Sequence, residues 1–295
     1  MSSSQSSSQP SSPWSDLDRP PLRGAALERA VLRPGGLWTS LRVVAETGST
    51  NSDLVAEAAR GAAAGTVLVA EEQTAGRGRL ERRWSAPARS GIFLSMLLRP
   101  DGVPKQRWGW LPLLVGVSAA SALSQVSGVE VRLKWPNDLL VGVGGEERKL
   151  GGILAELAGD AVVVGIGLNV SLREEELPVP AAGSLLLAGA AVTDRETLLR
   201  ALLRTFDELY ADWAGAAGDP EASGLRVAYA AQCATLGRSV RVELPGDREL
   251  LGEAVAVDGD GRLVVRDGAG EERAVGAGDV LHVRPQQASS DIPGG

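Results

Sequence analysis

Cysteine and histidine occur once each, at Cys233 and His282. A lone cysteine excludes an internal disulfide, and the pair leaves a Cys/His zinc site or a cysteine-histidine nucleophile without enough ligands or partners. Both residues read as structural. Lysine and asparagine are almost as scarce, with Lys105, Lys134, Lys149, Asn51, Asn137 and Asn169 the full set. In a chain that draws nearly all its positive charge from arginine, every one of these six except Lys105 falls in a stretch that reads as a motif. No Gly-x-x-x-x-Gly-Lys-Ser/Thr loop occurs, which excludes a Walker-type nucleotide site. No apolar run reaches the ~20 residues of a membrane span. The first residues are rich in Ser, Gln and Pro and lack the apolar core of a secretion signal. The expected compartment is cytoplasmic, with no membrane partner. A net charge of −7 argues against binding DNA or RNA broadly, because affinity for a polyanion normally needs a basic face.

Against that acidic background one stretch is strongly basic. Gln73-Thr74-Ala75-Gly76-Arg77-Gly78-Arg79-Leu80-Glu81-Arg82-Arg83-Trp84 carries four arginines and one glutamate, and follows the predicted strand 66–70. Gly76 and Gly78 let backbone approach a ligand, while each guanidinium offers a planar fork suited to carboxylate or phosphate. A solvated Arg-Gly turn is the plainer alternative.

With 295 residues and 44% hydrophobic content, the chain suits a main domain plus a smaller one. Residues 1–23 are expected to be a disordered tail and 24–34 a short helix. A strand over 37–45 leads to Ser49, Thr50 and Asn51 at the start of an Ala-rich helix, where Thr50 and Asp53 have capping-box spacing. Capping and a polar pocket wall remain equal readings of this cluster. The run 91–98 predicts a buried strand, and 108–126 an amphipathic helix that tolerates Pro112 early. A strand over 129–135 ends in Lys134-Trp135-Pro136-Asn137-Asp138, a lysine, an amide and a carboxylate at one turn. Lys149-Leu150-Gly151-Gly152 opens a further strand that pairs, across Gly159-Asp160, with 161–170. The latter ends in Gly165-Ile166-Gly167-Leu168-Asn169, which is not a dinucleotide fingerprint because no third glycine or helix follows; its glycines would let a flat group lie on the sheet. Helices are predicted over 194–213 and 221–233. Short alternating runs between 236 and 285 suggest a small antiparallel barrel.

Taken in order, Ser49-Thr50-Asn51, Gln73 to Trp84, Lys134 to Asp138, Lys149 to Gly152 and Gly165 to Asn169, with a small β barrel behind them, resemble biotin protein ligase across about residues 37–285. The resemblance implies an α+β fold: a mixed sheet with helices, of the class II synthetase and biotin-lipoyl ligase kind, over 24–233, then an SH3-like β barrel over 234–285 and a disordered tail over 286–295. It implies activation of biotin with ATP and Mg2+ to biotinyl-5′-AMP, then transfer to a lysine of a biotin carboxyl carrier domain of an acyl-CoA carboxylase. Biotin would be bound by Ser49, Thr50, Asn51, Gln73, Gly76, Arg77, Lys149, Gly151 and Gly152. Arg79, Arg82, Trp84, Lys134, Asn137 and Asn169 would serve ATP or the adenylate, and Asp138 the magnesium. Lys149, Arg77, Arg79 and Asp138 are the expected catalytic groups. The family loop often has glycine where this chain has Glu81, which unsettles the roles of Arg82 and Arg83. The family's repressor members carry an N-terminal winged helix-turn-helix; the Ser-rich tail here leads us to expect a ligase without operator binding, as a monomer or weak dimer. A lipoate or octanoate ligase would instead carry an Arg-Arg-x-x-Gly-Gly-Gly pattern, and an Arg-Gly nucleic-acid module would need a basic surface.

Overall fold

The computed structural model describes residues 18–79, 82–244, 248–276 and 278–282. Its larger body is a seven-stranded sheet in the order β1-β2-β5-β9-β8-β7-β6. The strands are β1 (Ser40–Val44), β2 (Thr66–Ala70), β5 (Gly91–Leu98), β6 (Val131–Lys134), β7 (Asp138–Val143), β8 (Glu146–Ala158) and β9 (Ala161–Asn169). Only β1 and β2 run parallel, because helix α2 (Thr50–Ala59) returns the chain between them; the other neighbours are antiparallel. A two-stranded hairpin, β3 (Gly76–Arg77) with β4 (Arg83–Trp84), stands apart from this sheet. The fold is thus the mixed α+β arrangement anticipated from the sequence.

Both faces of the sheet are covered, which is why its central strands are apolar without alternation. On one face Ile92, Leu94, Val162, Val164, Ile166 and Leu168 pack into the main core with α3 (Trp110–Ser127) and α4 (Arg195–Gly215). On the other, α2 lays Leu54 and Ala58 over Leu68, Leu97 and Val163. Helix α3 is not amphipathic as expected. It is buried on nearly every side, since it lies between the sheet and α4. Joined to a preceding 3₁₀ turn, it makes Lys105–Ser127 long and apolar enough to cross a membrane by length and composition, but 67% of its most apolar 18-residue stretch is buried inside the protein, as in a core helix.

Residues 18–23 do not behave as tail. Arg19 donates to Ser171 Oγ (3.1 Å), and Arg195 reaches the Pro20 carbonyl (2.6 Å). Arg195 also pairs with Glu71 at 2.5 Å, both almost fully buried, and Glu71 accepts the Leu22 N–H. Helix α1 (Gly24–Val31) follows. The first seventeen residues and those after 282, which include the end of the expected barrel and the tail expected over 286–295, lie outside the described residues.

The smaller body is a five-stranded antiparallel sheet, β13-β12-β11-β10-β14, built from β10 (Ser239–Leu244), β11 (Arg248–Val257), β12 (Leu263–Arg266), β13 (Glu272–Val275) and β14 (Asp279–His282). Strand β13 was not anticipated, because only Val275 of its four residues is buried. Helix α5 (Leu225–Gln232) precedes this sheet. Two indoles fasten it to the larger body: Trp110 Nε1 donates to Gly259 O (3.0 Å) and Trp135 Nε1 to Gly261 O (3.1 Å). On the same seam Arg238 pairs with Glu147 and lies 3.1 Å from His282 Nδ1, while His282 Nε2 is 3.1 Å from Thr235 Oγ1. Arginine can only donate, so Nδ1 accepts and the proton of the neutral ring sits on Nε2.

Burial, and then the positive charges of Lys134 and Arg238, push the His282 pKa down to about 4 from an ordinary 6.5. The folded chain therefore binds fewer protons here than the unfolded chain between these values, and stability contributed by the neutral ring falls as pH drops through that window. In denaturant titrations, wild-type stability relative to His282→Gln is expected to decline from pH 6.5 to 4 and to be constant above it. A difference independent of pH would refute the seam as drawn.

Candidate active site

The cleft lies on the α2 side of the sheet, just beyond the helix N-terminus. Side chains alternate along β9, so Val163, Gly165, Gly167 and Asn169 all face this side. Where Val163 packs under α2, the two glycines let other side chains come down onto the strand. A Cβ on Gly165 would stand 2.1 Å from Asn51 Oδ1, and one on Gly167 would be 2.7 Å from the Trp84 ring. The flat group lying on the strand is therefore the indole of Trp84, whose Nε1 is buried without a partner. The enclosed space is about 600 Å³, of the size that holds a small organic ligand.

Its polar floor starts at Ser49, which caps α2 by accepting from Ser52 N (3.5 Å). Ser49, not Thr50, is thus the cap, and its two neighbours are free for other work. Thr50 N–H donates to Gln73 Oε1 (2.9 Å). Ser95 Oγ lies 2.7 Å from Thr50 Oγ1 and 2.6 Å from Asn51 Oδ1. Each hydroxyl has one proton. Ser95 must donate to the amide oxygen, which has no proton, and accept from Thr50. Asn51 Nδ2 then donates to Leu154 O (3.1 Å) and Glu156 Oε2 (2.9 Å).

The cations stand above this floor. Lys149 Nζ is 2.6 Å from Asp138 Oδ1, and Arg79 donates to Asn137 Oδ1 (3.1 Å), so two positive groups from distant parts of the chain meet adjacent residues of one turn. Asn137 is itself fixed, donating to Ile153 O (3.1 Å). Burial lowers the Arg79 pKa; the carboxylates of Asp279 and Asp138 oppose this shift and Arg82 adds to it. Arg77 Nη2 lies 2.8 and 2.9 Å from the two oxygens of Glu156. Arg82 pairs with Asp279 of β14, and Lys134 also lines the cleft. Such a constellation can receive an anionic, partly flat molecule.

The Biotin/lipoate A/B protein ligase family model matches residues 43–171, and the Biotin protein ligase C terminal domain model matches 235–283. The biotin--[acetyl-CoA-carboxylase] ligase of Mycobacterium tuberculosis is 45% identical over 273 residues, 91% of this chain and 98% of that protein. The chain belongs to the biotin protein ligase family. A ligase of the same description from Paracoccus denitrificans is 30% identical, over 78% of this chain and 95% of its own. Among solved structures, the biotin protein ligase of Aquifex aeolicus in complex with biotin and ATP superposes with a TM-score of 0.68 at 28% identity, covering 83% of this chain and all of that one.

In this biotin protein ligase, Ser49, Thr50, Asn51, Gln73, Arg77, Lys149 and Gly152, all expected at the biotin site, line the one cleft, as do Arg79, Arg82, Trp84, Lys134, Asn137, Asp138 and Asn169. Gly76 and Gly151 do not. A Cβ on Gly76 would strike the Trp84 carbonyl at 2.5 Å, and one on Gly151 the Gly167 carbonyl at 2.5 Å, so both serve close backbone packing behind the cleft. The amides of Asn51 and Asn169 are committed inside the protein, the latter donating to Gly183 O (3.0 Å). Asp138 is held by Lys149, and among the described residues no three His, Cys, Asp or Glu side chains gather as a metal cage. Glu81, the departure from the family loop, lies outside the described residues.

Sequence reasoning missed Ser95 and Glu156, and also Glu243, Asp279 and Leu281 of the smaller sheet, which line the cleft. Ser95 left a signal, being the one polar residue in the eight of β5. Glu156 left none beyond its place on an otherwise ordinary strand.

Gly165→Ala must push Asn51 from its bonds. It is expected to cost about 1–3 kcal/mol of stability by chemical denaturation, whereas Gly142→Ala, which meets no atom within 4 Å, should stay near wild type. Equal effects would show that the floor is not packed as described.

Proposed function

We propose that the cleft joins biotin to ATP and passes the biotinyl group to a lysine of a carrier domain. The observation that carries this reading is the meeting of Arg79 and Lys149 at Asn137 and Asp138. A carboxylate and a triphosphate repel each other, and fixed cations in a partly dry cleft remove that barrier without a covalent enzyme intermediate or a histidine base. In the first step a biotin carboxylate oxygen bonds to the α-phosphorus, the bond to the β-phosphate oxygen breaks and pyrophosphate leaves. In the second, the lysine amine attacks the acyl carbon and AMP departs.

Arg79 and Lys149 neutralise the reacting oxygens. Ser49, Thr50 and Gln73, with the bare backbone at Gly152, receive the biotin ring. Trp84, Lys134, Asn137 and Arg82 sit on the nucleotide side, and Asn169 shapes that end through Gly183. Magnesium would enter with ATP, in a mode that needs only one or two protein carboxylates, and Asp138 beside Lys149 would supply one. Asp138 also orients the incoming amine once Lys149 has turned to the phosphates. The likeness to ligases of acetyl-CoA carboxylase supports a carrier domain of that enzyme class as acceptor.

Labelled biotin, MgATP and a carrier domain should yield label on the carrier. Lys149→Ala is expected to slow biotin-dependent ATP-pyrophosphate exchange by ~10²–10³. Exchange near the wild-type rate in that variant would remove Lys149 from the chemistry.

A further inference from the structure

We propose that Arg77 and Glu156 form a positioning clasp: the guanidinium holds the first strand of the arginine loop over the polar floor and takes no part in binding the reacting anions. This departs from the role the family resemblance gave Arg77, and its kinetic arm rests on the biotin-activating reading above. Three observations combine. The Glu156 carboxylate receives Arg77 Nη2 at 2.8 and 2.9 Å and Asn51 Nδ2 at 2.9 Å, so it is the junction between the loop and the floor. Through Asn51 and Ser95 the chain of bonds continues to Thr50, and Thr50 fixes Gln73. On the loop side, Gly76 and Arg77 pair with Trp84 and Arg83, and Trp84 lies on Gly167. One carboxylate thus sets the height of the hairpin above the ligand space.

Charge separates this pair from the catalytic cations. Around the Asn137-Asp138 turn, Arg79, Arg82 and Lys149 meet, among the described residues, only the two carboxylates of Asp138 and Asp279, which leaves net positive charge for an incoming anion. The Arg77 pair is neutral. Were Arg77 to turn toward substrate, Glu156, about three-quarters buried, would lose its charge partner, which opposes the move. The clasp therefore stays closed through the reaction, and acts on binding more than on chemistry.

The test compares Arg77→Gln, Glu156→Gln, the double variant and Arg77→Lys. In pyrophosphate exchange, each single Gln variant is expected to raise KM for biotin by about tenfold, with kcat within about threefold of wild type. The double variant should be no worse than either single, because both remove one coupled unit. Arg77→Lys, which can still pair with Glu156, should recover most of the loss. A fall in kcat of ~10²–10³ for Arg77→Gln, with Glu156→Gln unaffected, would mean that the guanidinium acts on the reacting oxygens and would overturn the clasp. Hydrogen exchange gives a second readout without substrate: the amides of Gly76, Arg77 and Trp84 should exchange faster in both single variants. Unchanged exchange overturns the clasp. Wild-type protein with no biotin-dependent exchange of pyrophosphate would count against the enzymatic reading alone, leaving the amide measurement to decide the clasp.

Discussion

Positive groups gathered in a small cleft repel one another, and this fold holds them because each is met by an acceptor that the topology brings to it. Lys149 on β8 is met by Asp138 at the start of β7, Arg79 by Asn137, Arg77 by Glu156 further along β8, and Arg82 by Asp279 on the smaller sheet. No single segment could do this, since the arginines lie in one short loop and their partners lie far along the chain. At a few ångströms, unscreened like charges would otherwise work against one another by several kcal/mol at protein-like dielectric. The acceptors thus shape the cleft as much as the cations do.

That constraint explains the glycines as well. The arginine loop must lie close to the sheet for its side chains to reach β7 and β8, and Trp84 brings it down by resting on Gly167. Bulk at that position would lift the hairpin. Asn51 needs the same room at Gly165, and its amide spans from the floor to Glu156. The main core behind, with Val162, Val164, Ile166 and Leu168 on the opposite side of the same strand, supplies the rigidity against which these approaches are made.

The sequence was most legible where one physical demand dominates. Strands 66–70 and 91–98 appear with their expected bounds because both faces are buried and the apolar run has to end where burial ends. Ser49 and Thr50 were ambiguous because either hydroxyl suits a cap; only the placement of Gln73 and Ser95 decides between them. The helix predicted to begin at 221 starts at Leu225, since Asp219 turns its side chain back onto the amides of Glu221 and Ala222. Long-range partners were out of reach: nothing local to Glu156 or Asp279 says that an arginine eighty or two hundred positions away will meet them. The resemblance carried over residues that touch the cleft more readily than those that brace it.

Trp110 opens the long central helix and Trp135 immediately precedes the turn that bears Asn137 and Asp138, yet both indoles end in the same 259–261 corner of the smaller sheet. That sheet consequently touches the cleft from two directions: its edge strand supplies Asp279 to the rim, and its 259–261 corner grips two rings, of which Trp135 leads into the turn anchoring Arg79 and Lys149.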